Sequence, residues 1–424
     1  MGSLRAALST PQGQGFARLA VTAACFSFAM AAQQNIVSNY FEHNLGLSPS
    51  QFGYITAIRE IPGFLLIFLA AVFYRMSLPH LTAGALGLLS IGFALFGFSQ
   101  DFWSVAPWVI ISSMGYHMYL QTQYALGMSL VTESRSGGML GRVSAIGSGG
   151  GMVAMIFVLI GFSTGVMDYW TTYVVCGVVA LIAAIAIFGF PNLHNGQKLK
   201  KTTHRSPIVL RKHYRWYYLL NLLDGGRQQI FFSFGLFVLV HRYQLDVPFI
   251  SAVLIGVSGI SMLVGTRIGR LIDIHGERQV LAFVNIGYII ALAGYALVDN
   301  IVVAVICYII YSFIMPLSGM GGSVYLRKVA ASADIAPSLA MGVTMQHVAA
   351  IAVPLAAGYI LNFVGYQVPF LIACGFACLS VYVTRRLRPE LQKSPQRRLE
   401  DAAALEQAVL LTPSVPVVGA AARS

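Results

Sequence analysis

The sequence predicts an all-α membrane protein of about twelve transmembrane helices, folded as two pseudo-symmetric six-helix bundles. Three observations carry this: a composition too apolar for water, span-length apolar runs along the whole chain, and a basic break near its midpoint. Apolar residues make up 57% of the 424 residues and charged residues 10%, against roughly 45–50% and about 25% in an average soluble protein. A water-soluble domain so poor in charge would expose large apolar patches and aggregate. In a bilayer the same composition is expected, because lipid solvates the outer face of every helix.

A transmembrane helix needs roughly 20 mainly apolar residues. Runs of that kind lie at 17–41, 50–74, 81–99, 104–129, 140–164, 169–190, 214–241, 248–270, 279–298, 301–325, 338–363 and 368–386. The first is too long for a secretory leader, holds Gln33, Gln34, Asn35 and Asn39, and lacks a clear cleavage site, so it reads as a span. The second carries Arg59 and Glu60, and the fourth a polar stripe around His117. The fifth contains Gly147, Gly149, Gly150 and Gly151, whose missing side chains permit close helix packing.

A polar segment, Asn192 to Lys212, then separates six spans from six with Lys198, Lys200, Lys201, Arg205 and Arg211. In the second half, Gln228-Gln229 echoes Gln33-Gln34, Asp246-Val247-Pro248 echoes Leu47-Ser48-Pro49, and Val343-Thr344 echoes Val143-Ser144. Their common spacing of about 195–200 residues supports two parallel six-span repeats. The expected organisation is an N-terminal arm (1–16), a first bundle (17–190), a central loop (191–213), a second bundle (214–388) and a tail (389–424). The tail is read as a mobile extension, in which the Ala-rich stretch Asp401 to Leu411 can lie as a surface helix on anionic lipid. Cys25, Cys176, Cys307, Cys374 and Cys378 all fall inside spans, so no disulfide framework is implied.

The net charge of +12 is topological rather than a nucleic-acid footprint. With the N-terminus on the cytoplasmic side, 24 of the 27 Lys and Arg residues fall on that side; Arg242 falls opposite, and Arg59 and Arg227 lie within spans. This asymmetry is the positive-inside rule and places both termini in the cytoplasm. The expected setting is a bacterial inner (plasma) membrane.

The segment Gly269-Arg270-Leu271-Ile272-Asp273-Ile274-His275-Gly276-Glu277-Arg278 resembles the cytoplasmic loop motif of the major facilitator superfamily. It falls between spans 8 and 9, where that family carries its second copy, and with the 6+6 layout the resemblance covers roughly residues 15–388. The resemblance implies that Gly269, Arg270, Asp273, Gly276 and Arg278 join two spans as a gate. Asp273 beside Arg270 and Arg278 offers charge-assisted bonds that pin two helix ends in one conformation, and breaking them favours the other. The first-half copy, near Leu69 to His80, keeps Arg75 but lacks the aspartate. Drug/proton antiporters of the superfamily usually carry an arginine in span 4, four residues before a glycine, and a Gly-Pro pair in span 5. Here Ile111 precedes Gly115 and the glycine stretch of span 5 has no proline, which demotes multidrug antiport.

Of the 15 acidic residues only Glu60 and Asp224 lie mid-membrane, with Arg59 and Arg227 as basic counterparts. A charge there is unfavourable by roughly 2.5–3.5 kcal/mol on insertion scales and marks function by default. In span 7, Asn221, Asp224 and Gln228 share one helix face, and Arg227 is i+3 from Asp224, within pairing reach. In span 4, Ser113, His117, Gln121 and Tyr124 form a polar stripe suited to a water-filled cavity. Arg59 and Glu60 are about 100° apart around their helix, so one is expected to line the cavity while the other braces a neighbour.

The expected function is proton-coupled secondary transport of a small polar or anionic organic solute, by a monomer without cofactors. Glu60, Asp224, His117 and His347 are the candidate proton carriers. Gln33, Gln34, Arg59, Gln121, Tyr124, Asn221, Arg227 and Gln228 are the candidate solute ligands, the arginines by paired hydrogen bonds. The chain has no nucleotide-binding loop, no His-Glu-x-x-His run and no nucleophile elbow, so neither ATP drive nor an intramembrane enzyme is indicated. Drug antiport is the demoted alternative. A metal-ion transporter is the rival, since His117, His347, Asp224, Met118 and Met315 offer mixed ligands, although no spacing resembles a defined metal site. From another class, a transport-inactive sensor or assembly subunit would have no need of the intramembrane charges.

Overall fold

The computed structural model describes residues 9–65, 76–131, 136–191 and 210–411. Among the described residues, twelve helices lie at the positions of the twelve expected spans. The first half has α1 (Pro11–Asn39, continued by a π-turn at Tyr40–Asn44), α2 (Pro49–Phe64), α3 (Leu78–Phe96), α4 (Phe102–Ser129), α5 (Ser136–Ser163) and α6 (Tyr169–Phe188). The second has α7 (Arg215–Tyr243), α8 and α9 (247–275 and 277–297), α10 (Ile301–Val329), α11 (Ser332–Val364) and α12 (Gln367–Arg386). Seven of the described helices are long and apolar enough to cross a membrane. Residues 192–209 of the central loop and the first-half loop copy up to Arg75 lie outside the described residues.

An even number of spans puts both termini on one side, here called the terminal side. Five helices that start on the opposite side begin with a side-chain cap: Ser48, Asp101, Asp168, Asp246 and Asn300 accept hydrogen bonds from the first-turn amides of α2, α4, α6, α8 and α10. These residues satisfy amides that lack a partner within the helix and complement the positive end of its dipole. Hydrogen bonds from the Thr171 hydroxyl and amide hold the Asp168 carboxyl below its ordinary value of 3.8. A depressed carboxylate stabilises the fold above its unfolded pKa and loses that contribution as pH falls through the folded one. Asp168→Ala is therefore expected to lower the melting temperature at pH 7, with the gap from the parent protein narrowing as the pH approaches 3.

The two bundles repeat one packing scheme. In the first, α1 packs on α5 and α6, and α3 on α4 and α6; in the second, α7 packs on α11 and α12, and α9 on α10 and α12. The bundles meet through α2 against α11 and α5 against α8, contacts exchanged by the same pseudo-symmetry. At the α2–α11 contact glycine is required. A Cβ on Gly53 would lie 2.4 Å from the Pro354 carbonyl oxygen, and one on Gly358 2.7 Å from the Pro49 carbonyl oxygen.

Several interbundle contacts cluster on the side opposite the termini. The Asn39 amide donates to the Leu245 carbonyl at 2.7 Å, the Ser251 hydroxyl to Asn35 at 3.0 Å, His241 meets Glu42 at 2.8 Å, and Phe52 packs 4.3 Å from the Phe237 ring. The bundles are thus joined by polar and aromatic contacts on that side.

The described part of the tail, residues 389–411, contacts the second bundle. α13 (Pro389–Gln392) and α14 (Pro395–Leu411) are helical and bonded to the second bundle. The Glu400 carboxylate accepts from the Ser332 amide at 3.1 Å and hydroxyl at 2.9 Å, and the Ser394 amide donates to the Val329 carbonyl at 2.9 Å. The physical reason lies in α11, whose own cap residue, Ala331, has no side-chain acceptor. Its first-turn amides, lacking a cap of their own, draw in an anion from the tail.

Candidate functional site

Two polar centres stand within the membrane-spanning part. The first is built on α7, where the helical period puts Asn221, Asp224 and Gln228 on one face, as expected. They line a small cleft with Leu220, Leu281, Gly322 and Gln346. Gln346 of α11 donates from Nε2 to Asn221 Oδ1 at 3.1 Å, joining the two helices across the cleft.

Behind this wall lies Arg227, fully buried. Its guanidinium donates to Asp224 Oδ1 at 3.0 Å and to the Tyr311 hydroxyl at 2.6 Å, and lies 3.5 Å from the centroid of the Tyr288 ring. A planar cation between aromatic faces is favourable where water is excluded. Asp224 therefore borders the cleft while Arg227, expected to bind solute, is sealed off from it and acts on the carboxylate from the rear. Tyr288 and Tyr311 went unnoticed in the sequence. The available signal was a tyrosine hydroxyl in mid-span, which needs a polar partner when buried.

The second centre joins the bundles. Glu60 of α2 lies with Oε2 3.9 Å from His117 Nε2 of α4 and 3.6 Å from His347 Nδ1 of α11. Arg59 contradicts the expectation that neighbours 100° apart stay on separate faces. Its long side chain folds back, so that Nε and a terminal nitrogen each lie 3.3 Å from Glu60 Oε1. The same guanidinium lies 5.7 Å from the Phe232 ring of α7, so Arg59 and Glu60 both face the second bundle. Ser113 donates its hydroxyl to the Arg59 carbonyl, and His117 Nδ1 lies 2.9 Å from the Ser113 carbonyl.

The remaining candidates are more dispersed. In the span 4 stripe, Ser113 and His117 are buried against α2, whereas Gln121 and Tyr124 are exposed. Gln33 is buried and Gln34 half-buried on α1. Asp224 stands apart from the two histidines; the carboxylate that joins them is Glu60. Gln346, a polar residue of span 11 without an assigned role, lines the first centre, and Gly63, which had no expected role, adjoins the second.

The loop candidates divide. Gly276 has φ +77° and breaks the helix between α8 and α9, a conformation that favours glycine. Arg278 donates to the Arg385 carbonyl at 3.1 Å, tying α9 to the end of α12. Gly269, Arg270 and Asp273, on which the gate depends, lie outside the described side chains.

Comparison with known proteins matches a family model described as Major Facilitator Superfamily to residues 19–344 and 268–422. A search of curated proteins finds no match. Among solved structures, the nucleoside transporter NupG superposes with TM-score 0.72 at 14% identity, covering 88% of this chain and 98% of that one. A bacterial homologue of the human lysosomal transporter Spinster, in an inward-facing and occupied conformation, superposes with TM-score 0.70 at 10% identity, covering 90% and 98%. At these identities the likeness is one of fold.

Proposed function

The chain belongs to the major facilitator superfamily, and from that premise we propose that it is a proton-coupled secondary active transporter moving a small polar or anionic organic solute by alternating access. The observation that carries the reading is Asp224, a carboxylate in the wall of a polar cleft whose guanidinium partner is sealed behind it. Such a carboxylate exchanges a proton with the cleft without exposing its counter-ion.

The cycle follows from the groups around it. Asp224 and Arg227 pair within α7, and Arg227 ties α7 to α9 and α10 through Tyr288 and Tyr311. A proton on Asp224 removes that attraction, while the tyrosine ring and hydroxyl still hold the cation. The amides of Asn221, Gln228 and Gln346 offer both donors and acceptors to a solute. Replacing the Asn221–Gln346 bond with bonds to solute moves α11 relative to α7, and α11 is the helix packed on α2 of the other bundle. Proton and solute thereby act on one cleft wall, and the solute acts through Gln346 on the interface between the bundles. An anionic solute group would be held by Arg59, whose side chain is 32% exposed.

The basic residues concentrated on the terminal side support cytoplasmic termini in a bacterial inner membrane. One chain supplies both bundles, in keeping with a monomer surrounded by lipid. The test is a thermal-shift screen of the purified protein against carboxylates, phosphorylated metabolites, amino acids and nucleosides, at pH 5.5 and 7.5. One solute class is expected to raise the melting temperature by mass action, with a pH dependence, and Asn221→Ala or Gln228→Ala is expected to remove the effect. Stabilisation indifferent to both substitutions would reject this cleft as the solute site.

A further inference from the structure

The tautomer of His117 follows from its partner. Nδ1 lies 2.9 Å from the Ser113 carbonyl oxygen, which can only accept, so Nδ1 carries the proton. In the neutral ring Nε2 therefore presents a lone pair, and it faces Glu60 Oε2 at 3.9 Å. His347 Nδ1 faces the same oxygen at 3.6 Å. Both separations are those of loose ionic contacts rather than of short hydrogen bonds. A lone pair aimed at a carboxylate oxygen is repulsive unless a proton or a metal ion lies between them, and two imidazoles converging on one carboxylate oxygen suit a metal ion.

We infer that Glu60, His117 and His347 form a binding site for a divalent transition-metal ion of the zinc class. No sequence spacing marks such a site; the tertiary structure brings these three together from three helices. Their donor atoms all lie within 4.8 Å of one another. Bonds of 2.0–2.2 Å in a tetrahedral site put donors about 3.3 Å apart. The site therefore closes around an ion by side-chain shifts of about an ångström. Two imidazoles and one carboxylate suit Zn²⁺ or Co²⁺, whereas Mg²⁺ requires oxygen ligands. Three protein ligands leave one position open to water or a small ligand.

The surroundings support ligation. The Ser113 carbonyl orients His117, as outer partners of metal-bound imidazoles do. Arg59 engages Glu60 Oε1 and leaves Oε2 toward the rings. Its positive charge opposes a nearby cation, but the side chain is 32% exposed and hence screened. Gly63, one turn beyond Glu60, makes room for both rings: a Cβ there would lie 2.5 Å from His117 Nε2 and 3.1 Å from His347 Cε1. Two ligands come from the first bundle and one from the second, so a bound ion holds the bundles in the present arrangement.

The test uses the full-length protein in detergent, stripped with a chelator and titrated with Zn²⁺ by calorimetry and with Co²⁺ by visible absorption. One Zn²⁺ per chain, Co²⁺ ligand-field bands, a raised melting temperature and no response to Mg²⁺ are expected. His347→Asn, at a side chain 25% exposed, carries little risk to the fold. It and Glu60→Gln are expected to weaken Zn²⁺ binding at least about tenfold and to remove the melting shift, whereas Asp168→Asn keeps both. Equal Zn²⁺ binding by the parent protein and His347→Asn, or none beyond that of Mg²⁺, overturns the assignment. Binding is read without transport, so its failure leaves the Asp224 reading standing, and failure of that reading leaves this one.

Discussion

Asp224→Asn is expected to abolish proton-driven accumulation of the solute while leaving solute exchange across the membrane intact. Asparagine keeps the size and the acceptor that Arg227 uses, so the cleft wall of Asn221, Gln228 and Gln346 remains. It cannot take up a proton, so the charge change that separates the two states of the pair is gone. The measurement is uptake into proteoliposomes with and without an imposed pH gradient, beside counterflow without one, using the solute found by thermal shift. Accumulation that persists in the variant, or exchange lost in parallel with it, removes Asp224 from the coupling role.

Arg227→Met is expected to be the most destabilising single change in the second bundle. It leaves the Asp224 carboxylate largely buried with its guanidinium gone, and breaking a buried pair from one side weakens a fold by about 3–5 kcal/mol. The Tyr311 hydroxyl and Tyr288 ring lose their cation as well. Arg227→Lys is expected to recover part of the loss, because an ammonium restores the charge but not the planar stack and paired donors. The double variant Arg227→Met/Asp224→Asn is expected to be more stable than Arg227→Met alone, since the largely buried carboxylate charge is removed with the guanidinium. Thermal unfolding of the parent, Arg227→Met, Asp224→Asn and the double variant forms a double-mutant cycle. Additive losses would mean that the pair contributes no coupling.

Much of the cleft wall was legible because it lies within one helix. A period of 3.6 residues puts Asn221, Asp224 and Gln228 on one face and Arg227 within reach of Asp224, whatever surrounds the helix. The span positions were legible for a similar reason, since lipid imposes the same length and polarity on every span. What lay between helices was not. Gln346 was visible only as an amide in span 11, and nothing local points it toward Asn221. His117 and His347 were visible as polar residues in apolar runs, but the choice of Glu60 over Asp224 as their shared carboxylate depends on α2 and α11 packing at Gly53 and Gly358. The Arg59–Glu60 contact was misjudged because helix angle describes where side chains start, whereas a long guanidinium side chain can fold back on its neighbour. The contact of Glu400 with the start of α11 was not legible because it depends on the uncapped end of that helix, which exists only once α11 has formed.

The sequence by itself determined the membrane setting, the twelve spans, the twofold repeat and the faces of individual helices. These follow from hydropathy, charge asymmetry and helical period, which act over one or two turns or over a span. The tertiary structure alone decided that Arg227 is sealed behind Asp224, that Gln346 closes the cleft, and that Glu60 meets two histidines across the bundles. Those depend on crossing geometry and close approach between helices distant in sequence, where the contact of a glycine with a facing carbonyl selects the neighbours of every charge.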